Sequence, residues 1–288
     1  MGEKIFSLDD VFGTPPKLVR GRGVGIGRFE GSSGDDFYAL FELSARSTRK
    51  RKLVQAKGTN NILVEPLDPQ DHAHPNDQLW SYPAYIKFVD GSGCCVGNGI
   101  QTNFVHQEVL SHSNQRAGAI LNYTLLKRFP ILYFDGSSGE SGEYRMIDAV
   151  AHEPDIDSKG VRQYTSRILA LVFDGEAAMA TSFCSNPKIP NCFLDEGGIN
   201  SKETRIHRIG YISQIPRGSA KMLFTYTGNF IDERMEPHLE PVDVRLEGRN
   251  PEEVAKMVRA AMDPKQFIGV ACIPSRGKPY ILNFEKEK

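Results

Sequence analysis

The chain has 288 residues, of which 40% are hydrophobic, and 35 Lys and Arg balance 36 Asp and Glu for a net charge of −1. This composition is typical of a globular protein and excludes disorder as the main state. The balanced charge argues against binding nucleic acid through a broad basic surface. No apolar run reaches the roughly 18 residues needed to cross a bilayer.

The N-terminus and the cysteines indicate a cytoplasmic protein. The first ten residues lack the apolar core of a signal peptide. The 5 cysteines are odd in number, include an adjacent pair and form no CxxC motif, which predicts reduced thiols and no zinc site. The sequence Asp71-His72-Ala73-His74 resembles a metal motif, but its flanking prolines favour an exposed turn. We therefore expect no metal.

The first predicted elements are a lead-in over 1–20, a glycine-rich strand and two further strands, 37–43 and 84–89. In 37–43, alternate apolar residues predict one buried face. Alternating glycines occupy the glycine-rich strand: Gly21, Gly23, Gly25 and Gly27. A phosphate-binding loop would follow a strand and open a helix, so a dinucleotide site is not expected here. Glycine on a strand instead marks the close approach of another backbone or a ligand.

The middle of the chain alternates between periodic and irregular segments. Apolar spacing of three and four residues predicts a helix within 107–127, and glycine and serine predict a loop over 135–145. Residues 168–173 are apolar throughout, which predicts a strand covered on both faces. Residues 184–204 are polar and are expected to be an insertion, and 221–227 is a further predicted strand.

The C-terminal part has the strongest helix signal. Asn250 can cap a helix over 250–262, and Pro251 suits its first turn. Two strands, 267–273 and 279–284, follow. The chain is therefore predicted to be one domain, 1–288, that is mostly strand with at least two helices. Sheets that each carry a helical layer would cover it most simply.

Three short segments have both a structural and a functional interpretation. The basic run 46–52 is either a solvated turn or targeting signal, or a phosphate clamp, since the arginine fork matches phosphate oxygens. The Asn98-Gly99 pair is typical of a hairpin turn. The sequence His152-Glu153-Pro154-Asp155 holds two carboxylates, which by themselves indicate a helix end more often than a catalytic base. No N-terminal nucleophile and no GxSxG motif is present.

Taken in order, short segments of the chain resemble the archaeal-type inosine monophosphate (IMP) cyclohydrolase family and its bacterial relatives. The matches run from about Gly21 to Phe284. They are Arg20-Gly21-Arg22-Gly23 with Gly25 to Gly27 (GR…G), residues 43–51 (SSRSxxNR), Ser81-Tyr82-Pro83, residues 98–103 (NGxQTD), Glu153-Pro154-Asp155 with 165–168 (E-x-D…TPRI), Thr225-Tyr226, and 250–262 (SPEEAA). Departures include Asn103 in place of aspartate, Ser166 in place of proline, and extra segments near 128–146 and 184–204.

The resemblance implies an α+β fold, a four-layer αββα sandwich similar to the N-terminal-nucleophile hydrolases but without their nucleophile. It implies closure of the purine ring of 5-formamidoimidazole-4-carboxamide ribotide to IMP and water, with no cofactor. The catalytic residues it implies are Tyr82 as donor to the formyl oxygen, Glu153 as proton acceptor and Arg46 for charge stabilisation. The substrate-binding residues are Arg22, Arg51, Asn98, Gln101, Thr102, Arg167 and Tyr226.

Two other functions remain compatible with these residues. One is a hydrolase of the same fold that acts on another amide or nucleotide, with the extra segments reshaping the pocket. The other is a non-catalytic nucleotide-binding protein, which would keep the arginine clamp but show no turnover. For the cyclohydrolase the expected partner is a small purine nucleotide substrate, with no nucleic acid and no membrane, and we expect a homo-oligomer.

Overall fold

In the computed structural model, the described residues are 6–8, 11, 19–31, 37–44, 51–68, 70, 82–88, 93–99, 101–111, 117, 120, 131–135, 140–141, 144–151, 155–156, 162–163, 167–173, 175–184, 205–212, 214–225, 227–228, 235–236, 241–264 and 266–284.

Within these residues the fold is mixed α and β, with most strands in two antiparallel sheets of 6 and 10 strands and few helices. The six-stranded sheet has the spatial order Val242–Arg245, Ser219–Phe224, Gly23–Arg28, Phe37–Ser44, Phe267–Pro274, Tyr280–Asn283. The ten-stranded sheet has the order Arg51–Gln55, Ile62–Pro66, Tyr82–Lys87, Gly93–Gly97, Arg167–Phe173, Glu176–Cys184, Arg205–Ile212, Tyr144–Ala151, Ile131–Asp135, with Glu140–Ser141 paired to Tyr144–Ala151.

Short strands complete the β structure of the described residues. Val19–Arg20, Thr227–Gly228 and Met235–Glu236 form a small sheet, and Asp155–Ile156 pairs with Arg162–Gln163. Phe6 adds an isolated bridge to Val244, with its N–H donating to the Asp243 carbonyl at 2.9 Å. The edge strand Val242–Arg245 is therefore partly covered by the beginning of the chain, which limits its pairing with other chains.

The glycine-rich segment forms the strand Gly23–Arg28 inside the six-stranded sheet, as its sequence predicted. A Cβ at Gly23 would lie 2.8 Å from Cε1 of Phe224, and a Cβ at Gly27 would overlap the ring of Tyr38. The glycines thus make room for large side chains of the neighbouring strands. The expected approach of another backbone or a ligand is therefore corrected at these two positions, where side chains fill the space.

The two sheets face each other across an inter-sheet core. The strand Phe37–Ser44 contributes Ala39, Phe41 and Leu43 to this core, and Phe37 packs against it, which confirms the predicted buried face. The ten-stranded sheet contributes Leu53, Ile62, Val64, Tyr82, Ala84, Val96, Ile168, Ala170 and Met179, among others. Burial on this scale, at about 25 cal/mol per Å² of apolar surface, is the main force holding the sheets together.

The helix Pro251–Ala261 covers the outer face of the six-stranded sheet, as predicted. Its N-cap is Asn250, whose Oδ1 accepts a hydrogen bond from the Glu253 N–H at 2.9 Å. Val254 and Val258 are fully buried against residues of the sheet. The cap, the proline in the first turn and the apolar stripe therefore act together, as the sequence indicated.

The helix Gln101–Ser111 packs on the outer face of the ten-stranded sheet through Val105 and Val109. The predicted helix over 107–127 therefore began too late, because the Asn98-Gly99 turn leads directly into a helix and not into a hairpin. Ala117 and Ile120 are helical and join the same core, whereas 121–127 lie outside the described residues.

Strand Arg167–Phe173 is buried on both faces, as predicted. Ile168 and Ala170 enter the inter-sheet core, whereas Leu169 and Leu171 pack with the helix Gln101–Ser111. This strand forms the centre of the ten-stranded sheet beside Gly93–Gly97 and Glu176–Cys184.

Other predictions are corrected. Within the predicted loop 135–145, the described residues belong to the strands Ile131–Asp135, Glu140–Ser141 and Tyr144–Ala151. Pairing of these strands with one another determines their conformation, which no local pattern indicated. The strand predicted over 221–227 spans Ser219–Phe224. Beyond Cys184, the segment 184–204 lies outside the described residues, and among the described helices none is long and apolar enough to cross a membrane.

Candidate functional site

Two arginines and a tyrosine from distant parts of the chain meet at one end of the inter-sheet space. Arg22 immediately precedes the strand Gly23–Arg28, Arg51 opens the strand Arg51–Gln55, and Tyr82 opens the strand Tyr82–Lys87. The Arg22 guanidinium carbon lies 5.8 Å from the centroid of the Tyr82 ring. Both Arg22 and Tyr82 are close enough to Arg51 to influence its pKa. We call these three residues the arginine–tyrosine cluster.

Strand alternation explains why the cluster forms between the sheets. Side chains two residues apart on a strand lie on the same face. Arg51 therefore shares its face with Leu53, and Arg22 shares its face with Val24, and both of these apolar residues belong to the inter-sheet core. Tyr82 is itself a member of that core and is 3% exposed. The six-stranded sheet thus presents one arginine, and the ten-stranded sheet presents the other with the tyrosine.

The surroundings of the cluster destabilise the positive charge of Arg51. Burial lowers the pKa of Arg51 to about 10, the positive charge of Arg22 contributes to this decrease, and Tyr82 acts in the opposite direction. A cation whose pKa falls on folding is less stable in the protein than in water. An oxyanion between Arg22 and Arg51 would stabilise both charges.

The Tyr82 hydroxyl is able to form a hydrogen bond with a ligand. It is buried and interacts with the Arg51 guanidinium. A phenol both donates and accepts a hydrogen bond, so this hydroxyl can accept from Arg51 and still donate to an oxygen of a bound anion or carbonyl.

Asn98 holds the position of Arg22. Nη1 of Arg22 donates to the Asn98 carbonyl at 3.2 Å. The Asn98 side-chain Oδ1 accepts from the Ile168 N–H at 2.8 Å, and the Asn98 N–H donates to the Ile168 carbonyl at 3.2 Å. Asn98 thereby extends the pairing of Gly93–Gly97 with Arg167–Phe173 by one residue. Its place beside the cluster agrees with the sequence-based grouping, whereas its predicted contact with substrate stays a prediction.

Gln101 and Thr102 begin the helix that follows this turn. Thr102 is fully buried, and its Oγ1 donates to the Gly99 carbonyl at 2.9 Å. The Thr102 carbonyl in turn accepts from Cys95 Sγ at 3.4 Å. These contacts give the Thr102 side chain a role in the turn and helix start. Asn103, the position at which the resemblance implied aspartate, is exposed on the helix.

The remaining predicted site residues divide into two groups. Arg167 begins its strand one residue before Ile168, and alternation places it on the face of Leu169, which packs with the helix Gln101–Ser111. Arg167 is therefore directed to the opposite face of the sheet from the arginine–tyrosine cluster. Arg46, Glu153 and Tyr226 lie outside the described residues.

The sequence did not point to the side-chain contacts that join the two sheets. The Asn283 side chain bonds to the backbone of Leu53, and Lys87 Nζ donates to the Ser275 carbonyl at 2.8 Å. Neither residue belongs to a motif, and each acts on a backbone group distant along the chain. No local pattern would have revealed these partners.

The described part of the chain contains no group of three or more His, Cys, Asp or Glu side chains able to hold a metal ion. The segment 71–74 lies outside the described residues. Three cysteines, Cys94, Cys95 and Cys272, are buried free thiols, and burial raises the pKa of Cys94 to about 11. Thiols in such surroundings are poor nucleophiles.

Neither the models of known protein families nor the curated proteins compared with this chain match it. The resemblance to the cyclohydrolases therefore depends on the short motifs and on where their residues lie.

Proposed function

We propose that this protein closes the purine ring of 5-formamidoimidazole-4-carboxamide ribotide to form IMP and water. The observation that supports this most strongly is the convergence of Arg22, Arg51 and Tyr82. These residues come from three separate motifs of the cyclohydrolase resemblance, yet they meet at one end of the inter-sheet space.

The first requirement of such a substrate is an anion site for its 5′-phosphate. Arginine binds phosphate through a planar fork of donors, and two arginines on facing sheets can contact different oxygens of one phosphate. Burial and the positive charge of Arg22 lower the pKa of Arg51. In the proposed complex the phosphate stabilises both charges, and Asn98 keeps Arg22 directed toward it.

The second requirement is chemical. The carboxamide nitrogen attacks the formyl carbon, the carbonyl π electrons move to the formyl oxygen, and the nitrogen loses a proton. The formyl oxygen takes up a proton, and the resulting hydroxyl then leaves as water together with the N–H proton of the former formamide nitrogen, which forms the ring C=N bond. In the proposal Tyr82 donates to the formyl oxygen as its charge develops, and Glu153 accepts the amide proton. Holding the two arms in contact removes much of the entropic barrier.

The proposal includes the finer architecture. An αββα sandwich like that of the N-terminal-nucleophile hydrolases, without their nucleophile, is supported by the two facing sheets and by one helix on the outer face of each. A cytoplasmic homo-oligomer that needs no cofactor completes the proposal.

The test is direct. Purified, metal-free protein is incubated with the formylated ribotide, and IMP formation is measured by chromatography against the uncatalysed rate. Tyr82→Phe should lower kcat by about 100-fold or more while KM changes little, because one donor to a developing oxyanion is lost. Tyr85→Phe is the matched control, since it removes another buried hydroxyl from the same strand, one that interacts with the Cys94 thiol and not with the arginines. Its kcat should stay within about twofold of wild type.

Other outcomes separate the alternatives. Binding of IMP without any acceleration of ring closure would favour the non-catalytic nucleotide-binding protein. Release of a product other than IMP would favour a hydrolase of another amide or nucleotide. A protein that neither binds nor converts these nucleotides would refute the proposal.

A further inference from the structure

The edge strands of the two sheets are joined by one asparagine side chain. Asn283, at the end of the strand Tyr280–Asn283, accepts a hydrogen bond through Oδ1 from the Leu53 N–H at 2.8 Å. Its Nδ2 donates to the Leu53 carbonyl at 2.9 Å. The side-chain amide therefore satisfies both backbone groups that Leu53 turns away from its own sheet, as a neighbouring strand would.

Gly269 provides the space for this contact. Gly269 pairs directly with Asn283 in the six-stranded sheet. A Cβ at Gly269 would lie 2.9 Å from Asn283 Oδ1 and 3.2 Å from Cδ1 of Leu53. Any larger residue would push the asparagine away from the Leu53 backbone. We call Gly269, Asn283 and Leu53 the asparagine clamp.

The clamp lies next to the arginine–tyrosine cluster. Leu53 is two residues from Arg51 on the strand Arg51–Gln55, and both side chains share one face of that strand. This strand is at the edge of the ten-stranded sheet and pairs on one side with Ile62–Pro66. On its other side, Asn283 supplies the hydrogen bonds to Leu53. The clamp thus helps to determine where the backbone of Arg51 lies.

The cluster needs such a restraint. Arg22 belongs to the six-stranded sheet and Arg51 to the ten-stranded sheet, so repulsion between their charges acts to separate the sheets at this end. The effect of Arg22 on the pKa of Arg51 shows that the two charges interact. Backbone contacts between the sheets oppose this repulsion. The clamp is such a contact, formed two residues from Arg51.

We infer that Asn283 is a positioning residue, which holds Arg51 at the separation from Arg22 that an oxyanion requires. This inference rests on the anion site of the proposed function but not on the ring-closing chemistry. If the clamp is broken, Arg51 can move outward, and only a fraction of molecules keep the arrangement that binds phosphate. The apparent affinity falls in proportion to that fraction.

Three variants test this inference. Asn283→Ala removes both hydrogen bonds, and Gly269→Ala displaces the asparagine without removing it. Asn61→Ala is the matched control, because Asn61 Oδ1 accepts from the Lys87 N–H at 3.0 Å within the same sheet but away from the arginines. Affinities for inorganic phosphate and for IMP are measured by calorimetry, stability is measured by urea unfolding, and kcat and KM are measured on the formylated ribotide.

The expected result is about tenfold weaker binding of both phosphate and IMP by Asn283→Ala and Gly269→Ala, with unchanged binding by Asn61→Ala. KM should rise by a similar factor while kcat stays within about threefold, because Tyr82 is not moved. A merely structural role would lower stability in all three variants without this selective loss of affinity. If Asn283→Ala fails to fold, Gly269→Ala is compared with wild type and Asn61→Ala in its place, since it keeps every polar group.

Wild-type affinity in both clamp variants would overturn the inference and leave the proposed function intact. Equal weakening by Asn61→Ala would also overturn it, because the effect would then follow general stability. A wild-type protein that binds neither phosphate nor IMP would refute the anion site, and both proposals would fail together.

Discussion

Replacing Arg51 by methionine should stabilise the fold and abolish anion binding. The pKa of Arg51 is lowered from 12.5 to about 10. At about 1.4 kcal/mol per pKa unit, the charged form is disfavoured on folding by about 3 kcal/mol. Methionine keeps much of the length and apolar packing of arginine without the charge. Because the Arg51 side chain is partly exposed, we expect Arg51→Met to raise the free energy of unfolding by about 1–3 kcal/mol.

The sign of the pH dependence follows from the same values. The pKa of Arg51 is lower in the folded than in the unfolded protein, so the unfolded state binds the proton more tightly. The difference in stability between Arg51→Met and wild type should be constant below about pH 9. It should shrink as the pH rises through about 10, where the folded protein loses this proton.

Urea unfolding with and without inorganic phosphate checks both effects. Phosphate at 100 times its dissociation constant should stabilise wild type by about 2.7 kcal/mol and leave Arg51→Met unchanged. Arg245→Met is the control, because Arg245 is exposed and pairs only with Glu247 on the surface among its described contacts. Its stability should change by less than about 0.5 kcal/mol. A loss of stability in Arg51→Met without phosphate would refute the reasoning, since the protein itself would then compensate the charge.

Two further predictions concern the fold and are checked by the same unfolding measurement. Gly27→Ala should cost about 3 kcal/mol or more, because the new Cβ overlaps the buried Tyr38 ring, whereas Gly25→Ala should stay within about 1 kcal/mol, since its nearest neighbour at 3.2 Å is the flexible Met222 side chain. Equal stabilities of the two glycine variants would contradict this account. Asn250→Ala should cost about 1 kcal/mol through loss of the helix cap, and an unchanged midpoint would show that the cap is dispensable.

Local signals were sufficient for the elements whose determinants are close in sequence. The helix Pro251–Ala261 carries its cap, its proline and its apolar stripe within thirteen consecutive residues, and Phe37–Ser44 carries its own alternation. Strands such as Arg51–Gln55 and Arg205–Ile212 were missed because their stability comes from pairing with distant strands. The helix after Asn98 was placed too late because its start depends on contacts of Thr102 with the preceding turn.

For the candidate site, the sequence by itself determined which residue types are available: arginines able to bind a phosphate, a tyrosine able to donate, and short segments that resemble a cyclohydrolase. Only the tertiary structure decided which of them meet. Arg22, Arg51 and Tyr82 come together because two sheets place them on facing surfaces, whereas the alternation of one strand directs Arg167 to the opposite face. The Asn283 side chain likewise reaches the Leu53 backbone because the two sheets face each other. Pairing between strands far apart along the chain sets these positions, and no local pattern of residues encodes that pairing.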